Sequence, residues 1–242
     1  MTDKSYIGKG KVFLDGRQVG NVTALSFQIT EDKKELKDYT AAGGGNYNSV
    51  TRIDAVELSM TLSDYSAENL AAAVFGTASA VTATTVTDES IAAPASLVGD
   101  PLVKTANVLD IDQTVTVTSD PAGTTYVEDT DYTIGAAGIR ILASGSISAS
   151  DPLLITYDKK AVDVVEALTQ SAAEYELVFE GLNEAQSGTP VVVIVHRAKF
   201  GPAAELPMIG DEFAELSLTG DALKDTSITT GALSQYFKVS QA

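Results

Sequence analysis

The chain has no cysteine, no tryptophan and a single histidine in 242 residues, and its basic side chains are heavily outnumbered by acidic ones. Each absence closes a class of chemistry. Without cysteine there are no disulfides, zinc-thiolate sites or thiol nucleophiles. His196 alone cannot build the usual multi-histidine metal sites, and no G-x-S-x-G elbow accompanies it, so a polar position on a strand is its default role. Carboxylate pairs are plentiful enough for glycoside chemistry, but the aromatic platforms that sugars stack on are thin. Sixteen Lys+Arg against thirty-three Asp+Glu give a formal charge of −17, the reverse of the basic footprint that gripping a phosphate backbone requires. Apolar runs such as Val191 to Val195 fall far short of a membrane span, and the start Met1-Thr2-Asp3-Lys4-Ser5-Tyr6 has no signal-peptide core. The expectation is a non-enzymatic protein without cofactor, metal or membrane, made and kept in the cytosol until something larger carries it out.

What the chain does have is β pattern. Tyr6 to Leu14 alternates imperfectly, Asp15-Gly16-Arg17 supplies turn chemistry, and Val19 to Thr30 resumes alternation, so a hairpin is predicted there. Glu31-Asp32-Lys33-Lys34-Glu35 then interrupts a strand-like stretch that regains Leu36 and Tyr39. Such a run usually marks a solvated face, and an arm extending from its own domain is the alternative. The following loop, Thr40 to Asn48, holds three consecutive glycines but neither G-x-G-x-x-G nor G-x-x-x-x-G-K-[ST], and no helix follows. It reads as a mobile hairpin tip, or in the sharper alternative as a loop that stays loose until it packs on a partner.

Ile53 to Leu62 alternates as a half-buried strand. Ser66 then caps a short helix, with Glu68 in its first turn and Gly76 as its stop. From residue 77 to about 160 the style changes to short Thr/Val strands with turn signals about every ten residues, which suggests a small immunoglobulin-like sandwich lacking the Cys and Trp marks. Residues 77–157 hold ten acidic residues against Lys104 and Arg140, or −8, while the remainder holds 23 against 14, or −9. Asp110/Asp112 and Asp129/Asp131 could serve calcium, but no EF-hand run accompanies them and solvated turns are the plainer reading. Beyond the insert, strands are expected at Tyr175 to Gly181, Val191 to Phe200, Phe213 to Gly220 and Tyr236 to Val239, the last closing the sheet. The predicted organisation is all-β with one short helix, a discontinuous host domain at 1–76 and 161–242 and an inserted domain at 77–160.

Four stretches together carry a resemblance: Gly8 to Gly16, the charged arm running into the Ala42 to Tyr47 glycine loop, Val56 to Gly76, and Lys199-Phe200-Gly201-Pro202 through Ile209 to Leu216. They look like the major tail tube proteins of long-tailed bacteriophages, over residues 5 to 76 and 161 to 240. The insert is similar to immunoglobulin-like decorations of phage structural proteins. The resemblance implies a β-sandwich or barrel-forming domain, six copies of which form a ring with a continuous β-barrel around a lumen. Stacked rings would make a conduit through which DNA passes without specific binding. Partners would be sister copies, a tape measure protein, a tail terminator and tail-tip proteins, in a virion tail assembled in the host cytoplasm.

By position, the resemblance makes Glu31, Lys33, Lys34, Leu36, Tyr39, Gly43, Gly44, Gly45, Asn46 and Tyr47 the contacts to the neighbouring ring, with the N-terminal residues and the Tyr236 region as secondary contacts. The residues lining the lumen are not assigned. Six copies at −17 give a formal −102, enough to repel DNA within a screening distance of about 8 Å. Because a sheath leaves little room for an eighty-residue domain, the insert favours a naked, non-contractile tail over a bacteriocin or secretion tube. A carbohydrate-binding β protein is the more distant alternative.

Overall fold

Apolar-polar alternation builds most of this chain into strands, and the computed structural model describes them for residues 4–40 and 42–242. Met1 to Asp3, and Ala41 of the glycine-loop reading, lie outside the described residues. In chain order the elements begin with β1 (Gly8–Leu14), β2 (Arg17–Gln18), β3 (Val22–Lys37), β4 (Asn46–Leu62) and helix α1 (Ala67–Ala73). Next come β5 (Thr77–Val81), β6 (Thr84–Ala92), β7 (Leu102–Lys104), β8 (Thr116–Ser119), β9 (Tyr132–Gly135), β10 (Gly138–Ile141), β11 (Pro152–Lys159) and β12 (Val162–Glu166). The remainder is β13 (Glu174–Asn183), a 3-10 turn at Glu184–Gln186, β14 (Thr189–Phe200), β15 (Leu216–Ala222) and β16 (Phe237–Gln241).

The chain forms two compact units, Met1–Ala78 with Val165–Ala242, and Ser79–Val164, against sequence boundaries of 76/77 and 160/161. The second unit contains two three-stranded sheets, β7-β10-β9 and β6-β11-β8. They share a core of Val103, Val117, Tyr132, Ile139, Ile155 and Tyr157, among others. Inside it the buried Tyr157 donates its hydroxyl to Glu89 Oε2 at 2.6 Å and accepts from Asn107 Nδ2 at 3.2 Å. The sheet pattern is smaller than the seven strands of an immunoglobulin domain.

In the first unit an eight-stranded antiparallel sheet runs β2-β1-β13-β14-β15-β4-β3, with β16 added on β14. Two sequence expectations are corrected. The hairpin expected between Tyr6–Leu14 and Val19–Thr30 closes only through Arg17 and Gln18, after which the chain crosses to the opposite margin and pairs β3 with β4. Periodicity shows that a segment is a strand without naming its neighbour, and Val22 onward finds a longer partner in β4. The strand expected from Phe213 begins instead at Leu216, leaving Phe213 in a loop.

One face of the sheet is buried. Val56, Leu58, Met60 and Leu62 of β4 meet Leu216 and Leu218 of β15 and Leu177 and Val195 further along, with α1 adding Ala73 and Leu70. The helix starts as expected at Ser66, whose hydroxyl accepts from the Asn69 N–H at 3.2 Å. The helix ends just before Gly76, with Phe75 at φ 51° in the left-handed region. Gly76 is needed for space, because a Cβ there would lie 2.5 Å from the Glu166 carbonyl oxygen.

Asn69 is a buried polar residue whose role the sequence pattern does not reveal. Its Nδ2 donates to the carbonyls of Val19 at 2.8 Å and Asp64 at 3.0 Å, and its Oδ1 accepts from Arg17 Nη1 at 2.9 Å. One side chain thus ties α1 to the turn that follows β1. Substituting Asn69→Leu strands two carbonyls and a guanidinium, so it should lower unfolding free energy by about 2 kcal/mol, measured by urea denaturation. An unchanged midpoint would show the tie to be dispensable.

Candidate assembly surface

The β3–β4 pair is much longer than the core that supports it. Burial on β4 stops at Val56, and the register shifts between Thr30 and Glu31, where Asp54 is the extra residue of a bulge. Beyond this point seven residues of β3, Glu31 to Lys37, pair with Ile53 to Asn46 with almost every side chain exposed. The segment spans about 20 Å at ordinary strand rise. A two-stranded ribbon is marginally stable alone, and this one exposes Leu36, Val50, Ile53 and Tyr47, with Tyr39 at 88% exposure in the turn.

Register divides the expected contact residues between two faces. Glu31, Lys33 and Glu35 share a face with Ile53, Thr51 and Ser49, while Asp32, Lys34 and Leu36 share the other with Arg52, Val50 and Asn48. Tyr39 and Gly43, Gly44 and Gly45 lie in the turn, and Asn46 and Tyr47 open β4. All three glycines have positive φ, and Gly44 at 64° occupies the left-handed well that side chains resist. Asp38 helps shape the turn by accepting from the N–H of Thr40 at 2.8 Å and its hydroxyl at 2.6 Å.

Ion pairs stiffen the ribbon along each face. Glu35 lies between Lys33 at 2.8 Å and Lys37 at 2.7 Å, while Lys34 meets Asp32 at 3.0 Å on the opposite face. Hydrogen bonds from Lys33, then Lys37 and Asn46, lower the Glu35 pKa to about 2. A depressed carboxylate stabilises the fold above its ordinary pKa of 4.5, and that contribution is lost as pH falls through about 2. Because the group lies at the surface, salt screens the interaction strongly.

The outer side of β3 carries no strand among the described residues, so its sixteen-residue edge is open. At the opposite margin β2 covers only Phe13 and Leu14, leaving Gly8 to Lys11 open on that side. The third open edge is that of β16, which pairs only with β14.

The other candidate residues do not converge on a reaction site. His196 sits half-buried on β14 with its N–H bonded to the Tyr236 carbonyl at 3.1 Å. Asp110 and Asp112 both meet Lys160, at 3.1 and 3.5 Å. Asp131 accepts from the N–H groups of Val127 at 2.8 Å and Ser146 at 2.7 Å, which holds its carboxyl below the usual range. Among the described residues no cluster of three or more acidic or histidine side chains could hold a metal ion, and no helix is long and apolar enough to cross a membrane.

A family profile described as protein of unknown function UCP028589 matches residues 5–240. The chain belongs to this family. No curated protein matches the chain. The family description names no activity, so geometry and charge carry the functional reading, and for this member the long open hairpin is the dominant feature.

A carbon-detected NMR titration of Glu35 should place its midpoint well below that of an ordinary glutamate. High salt or Lys33→Ala/Lys37→Ala should move it back up. An ordinary midpoint in the unmodified chain at low salt would refute the ion-pair description of the ribbon.

Proposed function

We propose that this chain is a structural subunit whose copies complete one another's sheet edges and stack into a hollow tube, and that the tube is a phage tail tube. The observation that carries the proposal is β3: a sixteen-residue edge strand, open along its outer side, that continues past its own core as an arm. Long open edges invite pairing with another chain, and folds that remain monomeric usually shorten, bulge or cover them. Here the edge is long and the arm exposes apolar and aromatic residues, both suited to a partner that arrives in strand form or packs on the ribbon.

The sheet face away from the core supports the same function. Ser26, Ser59 and Thr219 line up in one row across β3, β4 and β15, and Gln28, Glu57 and Asp221 in the next. These side chains are exposed and polar and offer no apolar patch to a ligand. An open groove of about 780 Å³ runs over them, lined as well by Lys199, Phe75, Phe200 and Pro202, and strand register sets Glu57 opposite Asp221 and Asp221 opposite Lys199. Facing a bore, the exposed Glu57 and Asp221 carboxylates would repel a polyanion. We assign this face to the lumen and the β3–β4 arm to the contact between successive rings.

Concentrated protein viewed by negative-stain microscopy, with light scattering alongside, should show rings or rods of even diameter. Removing residues 42–48 should leave the subunit folded and any rings intact while abolishing their stacking. Rods formed normally by the deletion variant would refute the role of the arm. A monomer at every concentration, with or without tail-assembly factors, would refute the tube.

A further inference from the structure

Charge is unevenly distributed over the first unit: a basic stretch lies at the β1 margin of the sheet, and an acidic loop between β14 and β15 ends beside β3. Residues 4–14 contain Lys4, Lys9 and Lys11 and no acid, in a chain of formal charge −17. All three lysines are exposed and form no ion pair among the described residues. Tyr6 and Ile7 between them are exposed as well, and the backbone from Gly8 to Lys11 has its outer side open. This margin is held in place by Asn183, which is fully buried. Its Oδ1 accepts from the Ile7 N–H at 3.0 Å and its Nδ2 donates to the Ser5 carbonyl at 3.0 Å.

The loop between β14 and β15 is the complement. Residues 201–215 contain Glu205, Asp211, Glu212 and Glu215 and no base. The ends of the loop are anchored: Ala203 and Leu206 pack against the core, the Ala203 N–H donates to the Ala73 carbonyl at 2.7 Å, and the Tyr65 hydroxyl donates to the carbonyl of Glu215 at 3.5 Å. Its middle presents Ile209 at 99% and Phe213 at 96% exposure. A loop tied down at both ends yet holding two large apolar side chains in solvent leaves apolar surface for another molecule to cover. Glu215 fixes where this happens, since its carboxylate accepts from the Thr23 hydroxyl at 3.1 Å, beside the start of open edge β3.

We propose that the basic, apolar β1 margin of one copy seats against the acidic, apolar loop 205–215 beside the β3 margin of the next copy. The two surfaces differ in sign and come from different parts of the same unit, so the contact is head-to-tail. Repetition of such a contact closes a ring when the rotation allows it. Burying Tyr6 and Ile7 against Ile209 and Phe213 supplies the apolar part, and the lysines against the carboxylates set direction and exclude head-to-head pairing. This proposal rests on the self-assembly reading above and adds to it which surfaces meet side by side.

The absence of cysteine makes the test direct. Lys9→Cys and Phe213→Cys are prepared as separate variants, mixed at assembling concentration and treated with a short bis-maleimide. A covalent dimer is expected in the mixture and in neither variant alone, with a yield that falls at high salt. Independently, Lys9→Glu/Lys11→Glu should raise the concentration needed for assembly roughly tenfold, and adding Asp211→Lys/Glu212→Lys to the same chain should restore it. Circular dichroism checks that each variant is folded. Rings or rods that form without the mixed dimer, or charge reversals without effect or rescue, would overturn this contact alone. A chain that never self-associates would overturn both the contact and the tube reading beneath it.

Discussion

Backbone pairing across the β3–β4 ladder is the constraint from which the rest of the first unit follows. Along its inner half the ladder sets Leu25 and Phe27 opposite Met60 and Leu58, aligning the face that α1, β15 and the return strands cover. Along its outer half the same ladder continues with no core beneath it. The hydrogen bonds continue through the bulge beside Thr30 while the hydrophobic support stops there, so one strand pair serves as both core element and exposed arm. Its outer edge is left with donors and acceptors that only water or another chain can satisfy.

Close packing elsewhere keeps the sheet regular up to its other margin. Gly10 and Gly181 face each other across β1 and β13, and the Phe179 ring fills the space that side chains would have taken. A Cβ at Gly10 would sit 2.4 Å from the Glu180 carbonyl oxygen, so the two strands can approach only with glycine there. With Asn183 holding the chain before β1 and Asn69 holding the turn after it, the lysine-bearing margin rests on a fixed frame. Electrostatics then acts on fixed surfaces: paired charges along the ribbon, lysines at the β1 margin, and carboxylates in the loop that ends at Glu215 beside β3.

Much of this was legible in the residues. Alternation located β4, β13 and β14, Ser66 announced the helix, and the switch to short Thr/Val strands marked a second unit. The charged run Glu31 to Glu35 reads first as a solvated strand face, with an arm as the alternative; its side chains are mostly exposed, on a ribbon that continues past the core. Phe213 shows the opposite failure: an apolar residue preceding a good strand was taken into it, whereas it stands outside in solvent. Gly76 stands just past the end of the helix, where the residues put its stop, and the Glu166 carbonyl beside it explains why nothing larger fits.

By itself, then, the sequence determined strand content, the place of the helix, the acidic balance and the exclusion of thiol and multi-histidine chemistry. These depend on neighbours within a few positions or on a simple count of side chains. Tertiary structure alone decided that β3 pairs with β4 and not with β1, that expected contact residues divide between two faces of a ribbon, and that the carboxylate-rich loop between β14 and β15 ends beside β3 while the lysines lie at the β1 margin. The reason is physical: local pattern sets the conformation of a segment, but which edges meet and which stay open depends on hydrogen bonds and burial between residues far apart in the chain.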